Sequence, residues 1–131
     1  MKNIYTWAAQ PAQRNITVGE IIAAKGKKVL TQVTANNALE AKAAEEAGFD
    51  MIIGSAYNVK KVREGSKKLF YTAALELHNY PTAEDVLRGA FTALEKGADA
   101  VMTARSMDIV SMLAKEDVPV MGHLGLVPRK S

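Results

Sequence analysis

One histidine sits where α/β proteins do chemistry. In Val118-Pro-Val-Met-Gly-His-Leu-Gly-Leu126 an apolar run breaks into small residues around His123. This puts an imidazole just past a strand's carboxyl end, where parallel α/β folds collect ligands. Other reactive side chains follow their own apolar runs in the same way. Ser55 follows Phe49-Asp-Met-Ile-Ile-Gly54. Glu76 and His78 follow Leu69-Phe-Tyr-Thr-Ala-Ala-Leu75, two residues apart and so on one face of an extended chain, a spacing open to a divalent cation. Arg105 follows Ala98-Asp-Ala-Val-Met-Thr103, and its guanidinium can hold a carboxylate through two parallel hydrogen bonds. Each has a plainer reading: His123 bonded to a neighbouring loop, Glu76 and His78 as solvated loop residues, Arg105 as a surface pair or cap, Ser55 as a turn hydroxyl. Met102, Met107, Met112 and Met121 read as core filler.

Repeating βα units must position these residues. Thr17 with Glu20 three residues later is a capping box for a short helix to about Lys25. Lys28 to Thr34 is a strand by its β-branched content. Asn37 caps a strong helix, Ala38 to Ala47, that Gly48 stops. Phe49 to Gly54 is a continuous apolar run, the mark of a parallel strand buried on both faces. A short basic helix or loop, Val59 to Gly65, leads to the strand at Leu69 to Leu75. Thr82 caps an amphipathic helix, Ala83 to Lys96, with Glu84 and Asp85 in its first turn and Gly97 after its end. The strand Ala98 to Thr103, a helix from Met107 to Lys115 with Ser106 as N-cap, and the strand Val118 to Met121 complete the series.

The units echo one another. Glu46-Ala-Gly-Phe-Asp-Met-Ile-Ile-Gly54 aligns with Glu95-Lys-Gly-Ala-Asp-Ala-Val-Met-Thr103: helix end, glycine, aspartate, apolar strand, small residue. The fold class is therefore α/β with parallel βα repeats, one unit over residues 1–131. Two architectures fit. A flavodoxin-like five-stranded sandwich is complete at this length, whereas a (β/α)8 barrel needs roughly 250 residues. The sequence closes on a strand, an exposed turn and the basic tail Arg129-Lys-Ser131, with no covering helix. That favours the first five strands of a barrel, its N-terminal half.

Bulk composition narrows the class further. Hydrophobic residues at 48% and charged residues at 24% describe an ordinary folded domain rather than a disordered one. The absence of cysteine excludes a disulfide framework, a thiolate nucleophile and thiolate-held metals. The net charge of +3 is mild, and the basic run from Lys60 through Lys68 includes Glu64, so it reads as a solvated loop or helix face, with an anion or phosphate site as the alternative, rather than a nucleic-acid surface. The longest apolar stretches are strand-sized, too short to span a bilayer, and Met1 to Trp7 lacks a signal-peptide core. The expectation is a cytoplasmic protein with neither membrane nor nucleic acid as partner.

Several segments, in order, resemble the ketopantoate (3-methyl-2-oxobutanoate) hydroxymethyltransferase family. Thr31-Gln-Val-Thr-Ala35 is similar to its Thr-x-x-Thr-Ala segment, and Ala43-Ala-Glu-Glu-Ala-Gly-Phe-Asp50 with Gly54 to its first helix and second strand. Pro81-Thr-Ala-Glu-Asp-Val86 and Lys96-Gly-Ala-Asp-Ala-Val101 resemble its third helix and fourth strand, and Val118 to Leu126 matches most specifically. The resemblance covers roughly Lys28 to Pro128. It implies a barrel of the isocitrate lyase and phosphoenolpyruvate mutase kind. It also implies transfer of a hydroxymethyl group from methylenetetrahydrofolate to 2-oxoisovalerate through an enolate, in pantothenate biosynthesis, with Mg2+ polarising the keto acid.

The sequence departs from that family where the chemistry is done. Gly54-Ser-Ala56 stands for Gly-Asp-Ser, Ala73-Ala-Leu-Glu76 for Ala-Asp-Leu-Pro, and Val101-Met-Thr-Ala104 for Val-Lys-x-Glu. The resemblance places the family's catalytic glutamate in a later unit, so no catalytic residue is assigned here. Ser55, Arg105 and His123 remain as substrate-binding candidates and Glu76 as a metal candidate. The resemblance favours a divergent hydroxymethyltransferase; the alternatives are a non-catalytic relative that binds a small 2-oxo acid or serves in assembly, and a C–C lyase or mutase on the same barrel. Open strand edges predict a homo-oligomer or completion by a C-terminal half.

Overall fold

A computed structural model describes residues 1–128; the basic tail at 129–131 lies outside the described residues. The chain opens with an antiparallel hairpin of β1 (Lys2–Tyr5) and β2 (Pro11–Arg14). Nothing in the residue spacing before Thr17 predicts these strands. After α1 (Val18–Ala24) come β3 (Gln32–Thr34), α2 (Ala38–Glu46), β4 (Met51–Ser55), a 3₁₀ turn (Ala56–Asn58) and α3 (Val59–Gly65). Then follow β5 (Phe70–Leu75), α4 (Ala83–Glu95), β6 (Ala100–Thr103), α5 (Met107–Lys115) and β7 (Val120–Gly122).

The five strands β3 to β7 are all parallel and lie in chain order. A sheet that only steps outward, never back past its first strand, carries right-handed crossovers on a single side. Sequential order therefore decides for the arc of a barrel and against the flavodoxin-like sandwich, whose order reverses at a switch point.

The core lies between this sheet and its helices. Ile52, Tyr71, Ala73 and Val101 from the strands meet Val59, Val62, Val86, Ala90, Leu94 and Leu113 from α3, α4 and α5. On the other, inner face Thr34, Ile53, Ala74 and Met102 are exposed or half-buried. The apolar run of β4 is thus packed on one face and only partly covered on the other, correcting the expectation of burial on both.

Capping follows the sequence closely, with one exception. The hydroxyls of Thr17 and Thr82 accept from the backbone N–H groups of Glu20 and Asp85 and complete both capping boxes, and Asn37 accepts from Glu40. Ser106 occupies the N-cap of α5 but its side chain makes no capping bond. The strand expected from Lys28 begins only at Gln32, because Val29 is solvent-exposed with no neighbouring strand to hold it. Met107 and Met121 are exposed rather than core.

Candidate functional site

The strand register sets one row of side chains across the carboxyl ends of the sheet. Ser55 on β4 pairs with Ala74 on β5, Ala74 with Met102 on β6, and Met102 with Met121 on β7. Partners in register share a face, so these four form one inner-face row. Three of them occupy positions where the family resemblance leads one to expect aspartate, aspartate and lysine. Here the row offers a hydroxyl, a methyl and two thioethers.

Ser55 is held tightly in this row. Its backbone N–H donates to Asn36 Oδ1 at 3.1 Å, and its carbonyl accepts the Tyr71 hydroxyl at 2.9 Å. Gly54 lets this happen: a Cβ there would collide with the Ala35 carbonyl oxygen and crowd the Tyr71 hydroxyl. Burial pushes the Tyr71 hydroxyl's pKa up, so it remains a donor. The Ser55 hydroxyl accepts from the Tyr57 N–H at 3.2 Å and caps the 3₁₀ turn.

Arg105 turns away from the row. Its Nη1 donates to the carbonyls of Tyr80 and Pro81 at 2.9 and 3.0 Å, tying down the loop that enters α4. Tyr80 in turn stacks on Tyr57, ring centroids 6.1 Å apart. His78 is exposed and does not line a cleft with Glu76.

Glu76 and His123 do come together. Both line a cleft of about 210 Å³ beyond β5, β6 and β7, whose other walls include Ala74, Met102, Ala104, Leu77 and Val127. The His123 backbone N–H donates to the Thr103 carbonyl at 3.0 Å, extending the β6–β7 ladder by one residue and holding the backbone from which the imidazole lines the cleft. Among the described residues Glu76 forms no ion pair; its backbone carbonyl accepts from the Asn79 N–H at 3.1 Å and its carboxylate from Asn79 Nδ2 at a long 3.4 Å.

A hard divalent cation does not fit this donor set. Mg2+ seeks near-octahedral oxygen ligation, whereas thioethers suit soft metals. The cleft presents one carboxylate among methyls and thioethers, and no three His, Asp or Glu side chains among the described residues converge on a metal position.

The opposite end of the sheet holds a network that the spacing of the sequence did not single out. Asp99 accepts from Arg14 Nε at 2.8 Å, Arg63 Nη2 at 2.6 Å and the Tyr71 backbone N–H at 2.9 Å, all nearly buried. Burial pushes Arg63 down to about 10, against the pull of Asp99. The remaining guanidinium N–H groups go to backbone carbonyls of Gln13, Ser66, Lys67, Leu69 and Gly97. Both cations are consumed by the fold, so the basic run supplies a rivet there rather than an anion site. A hollow of about 410 Å³ beneath the hairpin borders this network, at the strand amino ends where residues serve stability. The only clue in the sequence was the repeated Gly-x-Asp: Asp50, the equivalent of Asp99, likewise accepts from the N–H and hydroxyl of Thr31, just before β3.

Comparison with known proteins agrees with this architecture. The model of the family described as ketopantoate hydroxymethyltransferase matches residues 54–131. A 3-methyl-2-oxobutanoate hydroxymethyltransferase of Kosmotoga olearia is 32% identical over 139 residues, covering 87% of this chain and 52% of the relative. One of the same name from Staphylothermus marinus is 28% identical, covering 89% and 52%. The chain thus spans about half the length of the curated relatives it matches. Among solved structures, 2,3-dimethylmalate lyase, of the phosphoenolpyruvate mutase/isocitrate lyase superfamily, aligns with TM-score 0.59 at 14% identity, covering 82% of this chain and 52% of that one. A phosphonopyruvate hydrolase in complex with oxalate and Mg2+ aligns with TM-score 0.56 at 19% identity, covering 70% and 40%.

Proposed function

The chain belongs to the ketopantoate hydroxymethyltransferase family, and from that premise we propose that its cleft binds a short branched carboxylic acid without magnesium. The acid class is that of 3-methyl-2-oxobutanoate, which names the relatives' substrate. The observation that carries the reading is the meeting of Glu76 and His123 on one small, otherwise apolar cleft at the strand carboxyl ends. Methyl and thioether walls suit a branched aliphatic tail. An imidazole N–H donates to a carboxylate in either protonation state.

On this reading the residues of the cleft bind and orient, and no described residue is assigned the Lewis acid that hydroxymethyl transfer requires. Hydroxymethyl transfer, if a longer assembly performs it, draws that group from outside the described residues. A divergent ligand-binding relative is therefore favoured over a free-standing transferase.

The test is a chemical-shift titration of the labelled protein with 2-oxoisovalerate, with and without millimolar Mg2+. The expected result is weak binding that perturbs His123 and Met102 equally in both conditions. Shifts confined elsewhere, or binding that appears only with Mg2+, would refute the reading.

A further inference from the structure

Arg105 and Gly89 stand apart from the cleft, yet both act on the turn that forms one of its walls. Leu75 ends β5 and Thr82 caps α4, so the six residues from Glu76 to Pro81 cross from strand to helix. The first four close a turn in which the Asn79 N–H donates to the Glu76 carbonyl at 3.1 Å. The last two are gripped by Arg105, whose Nη1 donates to the Tyr80 carbonyl at 2.9 Å and the Pro81 carbonyl at 3.0 Å. Arg105 is anchored in turn, its own N–H donating to the hydroxyl of buried Thr103 at 3.1 Å. A guanidinium is planar and always charged, so one side chain fixes two successive carbonyls in direction as well as distance.

Tyr80 holds the same turn through its ring. The ring stacks on Tyr57 of the 3₁₀ turn, which the Ser55 hydroxyl caps, and it lies against Gly89, where a Cβ would run into it. Glycine is a poor helix former, and inside α4 its gain is the room it leaves for that ring. The loops after β4, β5 and β6 are thereby joined through one tyrosine. We infer that Arg105 and Gly89 are positioning residues that act together, through Tyr80, to hold Glu76 in the cleft it shares with His123. Neither is among the residues lining that cleft. A ligand's affinity falls with the fraction of molecules in the binding geometry, so freeing the turn weakens binding with no ligand contact removed. The inference rests on the cleft being the ligand site, as proposed above, and adds what keeps that site in shape.

The probe is 2-oxoisovalerate, titrated into the full chain by calorimetry, with the backbone resonances of Glu76 to Asn79 recorded in the free chain as well. Arg105→Gln and Gly89→Ala should each weaken binding about fivefold or more. The double variant should be no weaker than the worse single one, because both changes act through Tyr80. Arg105→Lys keeps donors for the two carbonyls but loses the planar fork, and should recover part of the loss. In the free chain both single variants should move the Glu76 to Asn79 resonances in common. Alanine for glycine ordinarily stabilises a helix interior, so a Gly89→Ala chain that melts higher and binds like wild type overturns the part given to Gly89. Losses that multiply in the double variant overturn the shared route through Tyr80. Unchanged affinity in Arg105→Gln overturns the positioning role but leaves the cleft as the ligand site. Arg105 is only half-buried, so its two variants carry the test even where Gly89→Ala fails to fold. If the wild-type chain binds no 2-oxoisovalerate, the ligand site falls. The free-chain resonances then decide the positioning alone: shared shifts uphold it, and unmoved resonances overturn it.

Discussion

Asp99 shows how much one side chain can hold. Its carboxylate takes Arg14 from the hairpin, Arg63 from α3 and the Tyr71 N–H of β5, so three separate elements converge on two oxygens. Asp99→Asn would leave two buried guanidinium groups sharing no negative charge, a loss on the order of 3–5 kcal/mol, which chemical denaturation would show as a lower midpoint. Asp50 makes the corresponding brace at a more solvated site. Hydrogen bonds from the Thr31 backbone and hydroxyl hold its carboxyl below the usual carboxylate range. A depressed folded pKa contributes stability above the ordinary carboxylate value that is lost as pH falls through the folded one. Asp50→Asn should accordingly flatten the acid side of a stability–pH curve below about pH 4, while a curve unchanged by the substitution would show that the brace carries no such linkage. The repeated Gly-x-Asp was visible as a pattern. Its role was not, because Arg14 lies 85 positions from Asp99 and no local spacing connects them.

At the scale of elements, local chemistry was readable wherever it was self-contained. Thr17, Asn37 and Thr82 could be identified as caps because each bonds a residue three positions along its own helix. Ser106 is likewise a hydrogen-bonding residue at an N-cap position, yet its hydroxyl makes no capping bond, since that depends on a rotamer the sequence does not specify. The two make a matched test: Thr82→Ala should cost about 1 kcal/mol and Ser106→Ala close to nothing in thermal denaturation. The hairpin escaped notice because Lys2–Tyr5 and Pro11–Arg14 are short, mostly exposed and without regular alternation. Its place is fixed by Arg14, and by Trp7 packing 5.4 Å from Phe91 of α4. Glu76 and His123 could each be singled out at a strand end. That they share a cleft while Ser55 and Arg105 serve loops follows from register and from the Tyr80–Pro81 turn, which only the folded chain displays.

For the molecule as a whole, the sheet is an arc with two edges. The β3 edge is lined by exposed Gln32 and Thr34. The β7 edge carries Met121, Leu124 and Leu126 at 38%, 70% and 77% exposure. Parallel sheets bury both faces in finished folds, and unpaired edges recruit strands. The 131-residue polypeptide by itself should therefore associate in a concentration-dependent way in sedimentation velocity, through these edges. A single monomer across a hundredfold concentration range, melting cooperatively, would show that the inner face tolerates water. The family's layering is kept, while the row at the strand ends offers a hydroxyl, a methyl and two thioethers where the family resemblance implies two carboxylates and a lysine.

Isothermal titration of the chain with Mg2+ at neutral pH tests that exchange directly. The row of Ser55, Ala74, Met102 and Met121 beside a single carboxylate predicts no saturable heat up to millimolar metal. A stoichiometric, sub-millimolar isotherm that disappears in Glu76→Gln would contradict it, and would return this cleft to metal-assisted chemistry.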